Sequence, residues 1–151
     1  MIDRYIRFWM GIAILGLCAG CATKPQQSVL LDDCKELVVP QKVWEGRDGS
    51  YVARLLLTDI ELDTIQWKRK VIGVVDAGTQ VRIAQILRGA DGSWGPFLRV
   101  QVEILDGSFR GQIAEVPSHV PYHPEPRWTM EFTLDPNGME FNPEIVKPCD
   151  A

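Results

Sequence analysis

Residues 96–116 read PFLRVQVEILDGSFRGQIAEV. Leu98, Val100, Val102 and Ile104 alternate with Arg99, Gln101 and Glu103. Period two is the pattern of a half-buried strand, one face toward apolar packing and the other toward water. Asp106-Gly107 follows, a pair suited to a two-residue type I′ turn, which needs positive φ at both central positions. The register of such a turn pairs Leu105 with Ser108, Ile104 with Phe109, Glu103 with Arg110, Val102 with Gly111 and Val100 with Ile113. Apolar partners then share one face, and the opposite charges of Glu103 and Arg110 meet on the other. The stretch predicts an antiparallel hairpin, with Gly111 at a bend or a close backbone crossing.

Working outward, residues 77–89 read as another strand. Val81 and Ile83 alternate with Gln80 and Arg82, and the phase slips at Ala84-Gln85 before Ile86, which predicts a bulge. A Gly-rich loop carrying Trp94 joins this strand to the next. Residues 71–75, VIGVV, are a β-branched run that ends at Asp76-Ala77-Gly78. Residues 51–67 predict one or two strands, and residues 128–135 alternate again, with Trp128, Met130, Phe132 and Leu134 on one side. Prolines 117, 121, 124 and 126 make residues 117–126 an extended wrapping loop or edge segment. Residues 136–151 form a similar tail. The expected fold is all-β, a small barrel or sandwich of five to seven short strands.

Three features carry a resemblance. Gly78-Thr79-x-Val81-x-Ile83 opens one strand, Phe97 to Ile104 forms the next, and Asp106-Gly107-x-Phe109-x-Gly111 closes the turn. Together they resemble an SH3-like β-barrel of bacterial envelope proteins, over about a quarter of the chain. A lipocalin-like or other Greek-key barrel is the alternative.

The N-terminus, MIDRYIRFWMGIAILGLCAGC, has Arg4 and Arg7 before about ten apolar residues at 8–17. That run is too short to span a bilayer and suits a signal peptide. Small Ala19 and Gly20 then precede Cys21. Residues 1–21 resemble a bacterial lipoprotein signal, although Cys18 stands where Leu is usual. The resemblance implies cleavage after residue 20 and lipidation of Cys21. Ala22, in place of the Asp that marks inner-membrane retention, implies the outer membrane. Residues 21–33 are then the lipidated cysteine and a flexible tether, and residues 34–151 a single domain in the periplasm. A redox or zinc reading of Cys18-x-x-Cys21 lacks both a βαβ context and a second ligand pair.

Removing residues 1–20 leaves 131 residues with 14 basic and 19 acidic side chains, a net charge of −5. This balance, with no basic run, argues against a nucleic-acid partner and against electrostatic attachment to anionic lipid. Cys34 and Cys149 remain as an even pair in an oxidising compartment. They are expected to form a disulfide across nearly the whole domain. The alternatives are free thiols or a mixed disulfide with a partner.

Candidate chemistry is sparse. His119 and His123 have the spacing of a helical zinc pair, but Pro121 lies between them and Pro124 follows, so they read as exposed loop histidines. Ser50, Ser93, Ser108 and Ser118 sit in turn-like contexts, and alternating carboxylates such as Asp59, Glu61 and Asp63 suit a solvated strand face. Neither an enzyme, a cofactor nor a metal is expected. Trp44, Trp67, Trp94 and Trp128, with Tyr51 and Tyr122, could compose an aromatic face. Trp67 and Trp128 suit the core, whereas Trp94 and Tyr122 are the expected partner-binding residues. The expected function is a non-enzymatic, lipid-anchored module that binds an envelope protein or cell-wall material. The alternatives are an inhibitor of a cell-wall hydrolase such as lysozyme, and an enzyme whose constellation the sequence does not display.

Overall fold

The computed structural model describes residues 24–46, 53–62, 68–120 and 122–150. The expected signal peptide, the lipidation site Cys21, Ser50, Tyr51, Asp63 and Trp67 lie outside these residues. The described chain is all-β. Its strands are β1 (Lys24–Pro25), β2 (Cys34–Leu37), β3 (Gln41–Glu45), β4 (Leu55–Thr58), β5 (Lys70–Val75), β6 (Gln80–Asp91), β7 (Gly95–Ile104), β8 (Ile113–Val116) and β9 (Val146–Pro148). They form one nine-stranded sheet in the order β5-β3-β4-β8-β7-β6-β2-β9, with β1 also on β6. The sheet is not closed. The strand number exceeds the expected five to seven because β1 and β9 are two- and three-residue pieces with weak pattern. The one helical element described is a 3₁₀ turn, Gly107–Phe109. No described helix is long and apolar enough to cross a membrane.

The long β6–β7 ladder runs from Val81↔Ile104 to Asp91↔Gly95 and shifts register between Ile83 and Gln85, where the sequence predicts a bulge. The β7–β8 pairing differs from expectation. It pairs Val100↔Val116, Val102↔Ala114 and Glu103↔Ile113, a slip of three residues from the two-residue hairpin. The reason is local. Asp106 sits at φ −144 in extended conformation, so a type I′ turn does not form. Gly107 at φ +72 starts the 3₁₀ turn instead, and Gly111 at φ +79 completes a longer loop. An odd slip exchanges the faces of a strand. Ala114 and Val116 therefore enter the core, and Ile113 is exposed.

β7 is also more buried than a half-buried strand: Phe97 to Val102 are buried on both faces. Val100, Val102 and Ile104 join Val81, Ile83 and Val116 in the main core, with Trp128. Trp44, Leu56 and Leu62 form a second cluster. Residues 128–135 do not make the expected strand. Thr129 makes an isolated bridge to Phe141, Trp128 is buried, and Met130 and Phe132 are 50% and 56% exposed.

Two further findings bear on the site. The expected flexible tether is docked from Lys24 onward. Lys24 and Pro25 pair with Arg88 and Leu87 of β6, Gln26 N–H donates to Ile86 C=O at 2.8 Å, and Ser28 Oγ donates to Pro136 C=O at 2.9 Å. Part of the β6 edge is thereby covered, which satisfies backbone groups that an open edge leaves unpaired. Cys34, the first residue of β2, and Cys149, just past the paired strand β9, form the expected disulfide across 115 residues. The bond joins both ends of the chain to the sheet and restricts the unfolded ensemble. Replacing both cysteines by serine is expected to cost about 2–5 kcal/mol. A urea melt would show this as a lower midpoint with an unchanged folded-state circular dichroism spectrum.

Candidate functional site

The tip of the β6–β7 hairpin is built by Asp91, whose Oδ1 accepts the N–H groups of Ser93 at 2.8 Å and Trp94 at 3.1 Å. Such a side-chain turn fixes the loop without burying it. Gly95 follows at φ +76, a conformation that favours glycine. The result holds Trp94 out from the sheet at 63% exposure. The Tyr122 hydroxyl lies against Asp91 and Trp94. Its pKa is raised, first by burial and then by the Asp91 charge, with the Trp94 hydrogen bond opposing. The two aromatic residues singled out from the sequence thus stand together, with Tyr122 bracing Trp94.

Beside this tip lies an open groove of about 460 Å³. Trp94, Pro96 and Phe97 line it from the hairpin, and His119, Val120, Arg127 and Phe132 from the segment after β8. Phe97 takes its place because Gly89, its cross-strand partner, has no side chain: a Cβ there would lie 2.5 Å from the ring. Arg127 Nη1 pairs with Glu125 at 3.2 Å. His119 Nδ1 shares a hydrogen bond with Thr129 Oγ1 at 3.1 Å. Burial, then the Arg127 charge, hold the His119 imidazole below its ordinary pKa against the pull of Glu125 and Glu131. It is therefore neutral at neutral pH. The groove combines apolar rings, one neutral imidazole and one cation, a composition that suits recognition.

Below the groove is a buried cluster that sequence reasoning missed. Glu115 is 0% exposed. Its carboxylate accepts Arg99 Nε at 2.9 and 3.0 Å, His123 Nε2 at 2.7 Å and the Ala53 N–H at 2.9 Å. Arg99 Nη2 adds a further bond. His123 is not an exposed loop residue but buried, and its Nδ1 accepts the Ser118 N–H at 3.0 Å. The imidazole proton therefore sits on Nε2, toward Glu115. Ser118, His123 and Glu115 are the residue types of a hydrolytic triad. Ser118 Oγ lies 3.3 Å from His123 Nδ1, but the ring nitrogen also accepts the Ser118 N–H, Ser118 is 2% exposed, and its Oγ reaches Leu98 C=O at 3.1 Å, so the hydroxyl is enclosed and has no path to a substrate in this arrangement. A nucleophile must reach substrate and hand its proton to a free ring nitrogen. These groups hold the fold.

Other aromatic candidates separate. Trp44 and Trp128 are buried in different clusters and do not contribute to an exposed face. Ser93 and Ser108 are exposed in turns. No group of three or more His, Cys, Asp or Glu among the described residues is placed to hold a metal ion. No family model, curated protein or solved structure matches the chain.

Burial alone would raise the Glu115 pKa, but the hydrogen bonds from His123 and Arg99 outweigh it and hold the carboxyl below its ordinary value. A carboxyl with a lowered folded-state pKa adds stability that is complete above its unfolded pKa. That stability is lost as the pH falls through the folded value. Glu115→Gln is expected to cost about 3–5 kcal/mol at pH 7, because Arg99 stays buried without its counter-charge. Urea midpoints between pH 7 and pH 3 should fall less steeply in the variant than in the parent.

Proposed function

We propose that this chain is a lipid-anchored envelope protein, acylated at Cys21 and facing the periplasm from the outer membrane. It acts without catalysis, binding another envelope component through the groove beside Trp94. The observation that carries this reading is the pair of exposed rings, Trp94 at 63% and Phe132 at 56%, on one groove that also presents Arg127. Isolated exposed apolar residues are ordinary, but convergent aromatics with an arginine are what binding surfaces concentrate. The SH3-like resemblance points the same way, toward an extended peptide in an aromatic groove, by analogy of fold alone. The non-enzymatic reading is supported by the burial of Ser118, His123 and Glu115.

The net charge of −5 that processing would leave favours a second reading, inhibition of a cationic cell-wall hydrolase such as lysozyme. One experiment separates them: affinity capture from detergent-solubilised envelope with the parent chain, Trp94→Ala and Phe132→Ala. A stoichiometric partner held by the parent and weakened at least tenfold by either variant is the expected result. Capture of a lysozyme-like enzyme with loss of its activity would establish the inhibitor. A partner held equally by all three chains would remove the groove from the function.

A further inference from the structure

We propose that the β6–β7 tip is a second membrane contact, in which Trp94 enters the headgroup region of the bilayer that holds the Cys21 acyl chains. The proposal rests on the lipid-anchor reading of Cys21 and adds to it an orientation for the domain. The direction of β1 carries it. Lys24 pairs with Arg88 and Pro25 with Leu87, so the chain reaches β6 from the side of the hairpin tip. Only two residues, Ala22 and Thr23, separate Cys21 from Lys24, a reach of at most about 11 Å. Arg88 is itself three residues from Asp91, where the tip begins, about 10 Å along a strand. An anchor on so short a lead holds the bilayer at this end of the molecule, the end at which Trp94 is 63% exposed.

The chemistry of the tip suits that position. Indole has an apolar body and a polar N–H, and Trp favours the boundary between acyl chains and headgroups. Tyr122 stands beside Trp94 with its hydroxyl toward the polar side of the indole, while the Trp94 ring stays exposed. Lys24 and Arg88, both exposed on the β1–β6 pair, stand close behind the tip at the level of lipid phosphates. One Trp cannot hold a free protein on a bilayer, least of all one with a net charge of −5. Tethered by the acyl chains, however, the ring meets the surface as an intramolecular event at high effective concentration. The groove beside Trp94 then opens at the membrane surface, where its partner must be reached.

The test uses the full-length, processed protein purified from membranes and reconstituted into phosphatidylethanolamine–phosphatidylglycerol vesicles with brominated acyl chains, which quench nearby indoles. Trp44 and Trp128 are both 0% exposed and stay out of reach, and Trp67, outside the described residues, is replaced by Phe in every chain compared. The expected result is a quenched share of the fluorescence that disappears in Trp94→Phe. Equal quenching in parent and variant, or none in either, overturns the membrane contact. Mass spectrometry of the residue-21 peptide distinguishes the two levels of failure. An acylated peptide without Trp94 quenching leaves the anchor standing and removes the contact, whereas an unacylated peptide removes both.

Discussion

The buried Glu115 carboxylate is the constraint on which this architecture depends. β8 stands near the middle of the sheet, between the group β5-β3-β4 and the group β7-β6-β2-β9. It joins the first group through a parallel contact with one register pair, Leu56↔Glu115. Parallel pairing over so short a span contributes little by itself. The Glu115 side chain reinforces it by accepting the Ala53 N–H at the approach to β4, Arg99 on β7 and His123 in the loop behind. One anion thus ties four segments together. A buried charge is tolerated only when fully partnered, and the same group becomes a liability if a partner is removed.

That cluster also positions the exposed site. His123 holds the proline-rich loop to Glu115 beside Arg99, and Arg99 and Gln101 are buried on a face that a simple alternating strand would leave wet. The loop brings His119 and Val120 to the groove, and Tyr122 to Trp94. The groove and the buried cluster therefore both draw on the proline-rich loop, which gives His119 and Val120 to the first and Ser118 and His123 to the second. Glu115 keeps one side of it fixed, and Asp91 sets the angle of the hairpin tip on the other.

The strand content was largely legible in the sequence. Alternation at residues 98–104, the β-branched run at 71–75 and the phase slip at Ala84 all report local geometry, and each corresponds to an observed strand or bulge. The β7–β8 register was not legible. A turn is selected by how its strands fit the rest of the sheet, and Asp106-Gly107 yielded to a longer loop that places Ala114 and Val116 in the core. The alternation at residues 128–135 misled for a related reason. Trp128 fills the core, but Met130 and Phe132 have no neighbouring strand to lie on. The exposed Trp94 and the half-buried Tyr122 could be singled out because a Gly- or Pro-rich loop offers little core burial. Their contact with each other, across 28 positions, could not.

The sequence by itself determined the all-β character and the strand segments with strict alternation, because each follows from local period, whereas the Cys34–Cys149 bond was one expectation among several for four cysteines and the structure settles it. Tertiary structure alone decided the strand order, the β7–β8 register, the groove and the fate of Ser118, His123 and Glu115. Those three residues have the composition of a catalytic set and the position of a core. Position, not composition, decides whether a polar side chain meets a substrate or a neighbour, and position is set by long-range contacts that no short window of sequence contains.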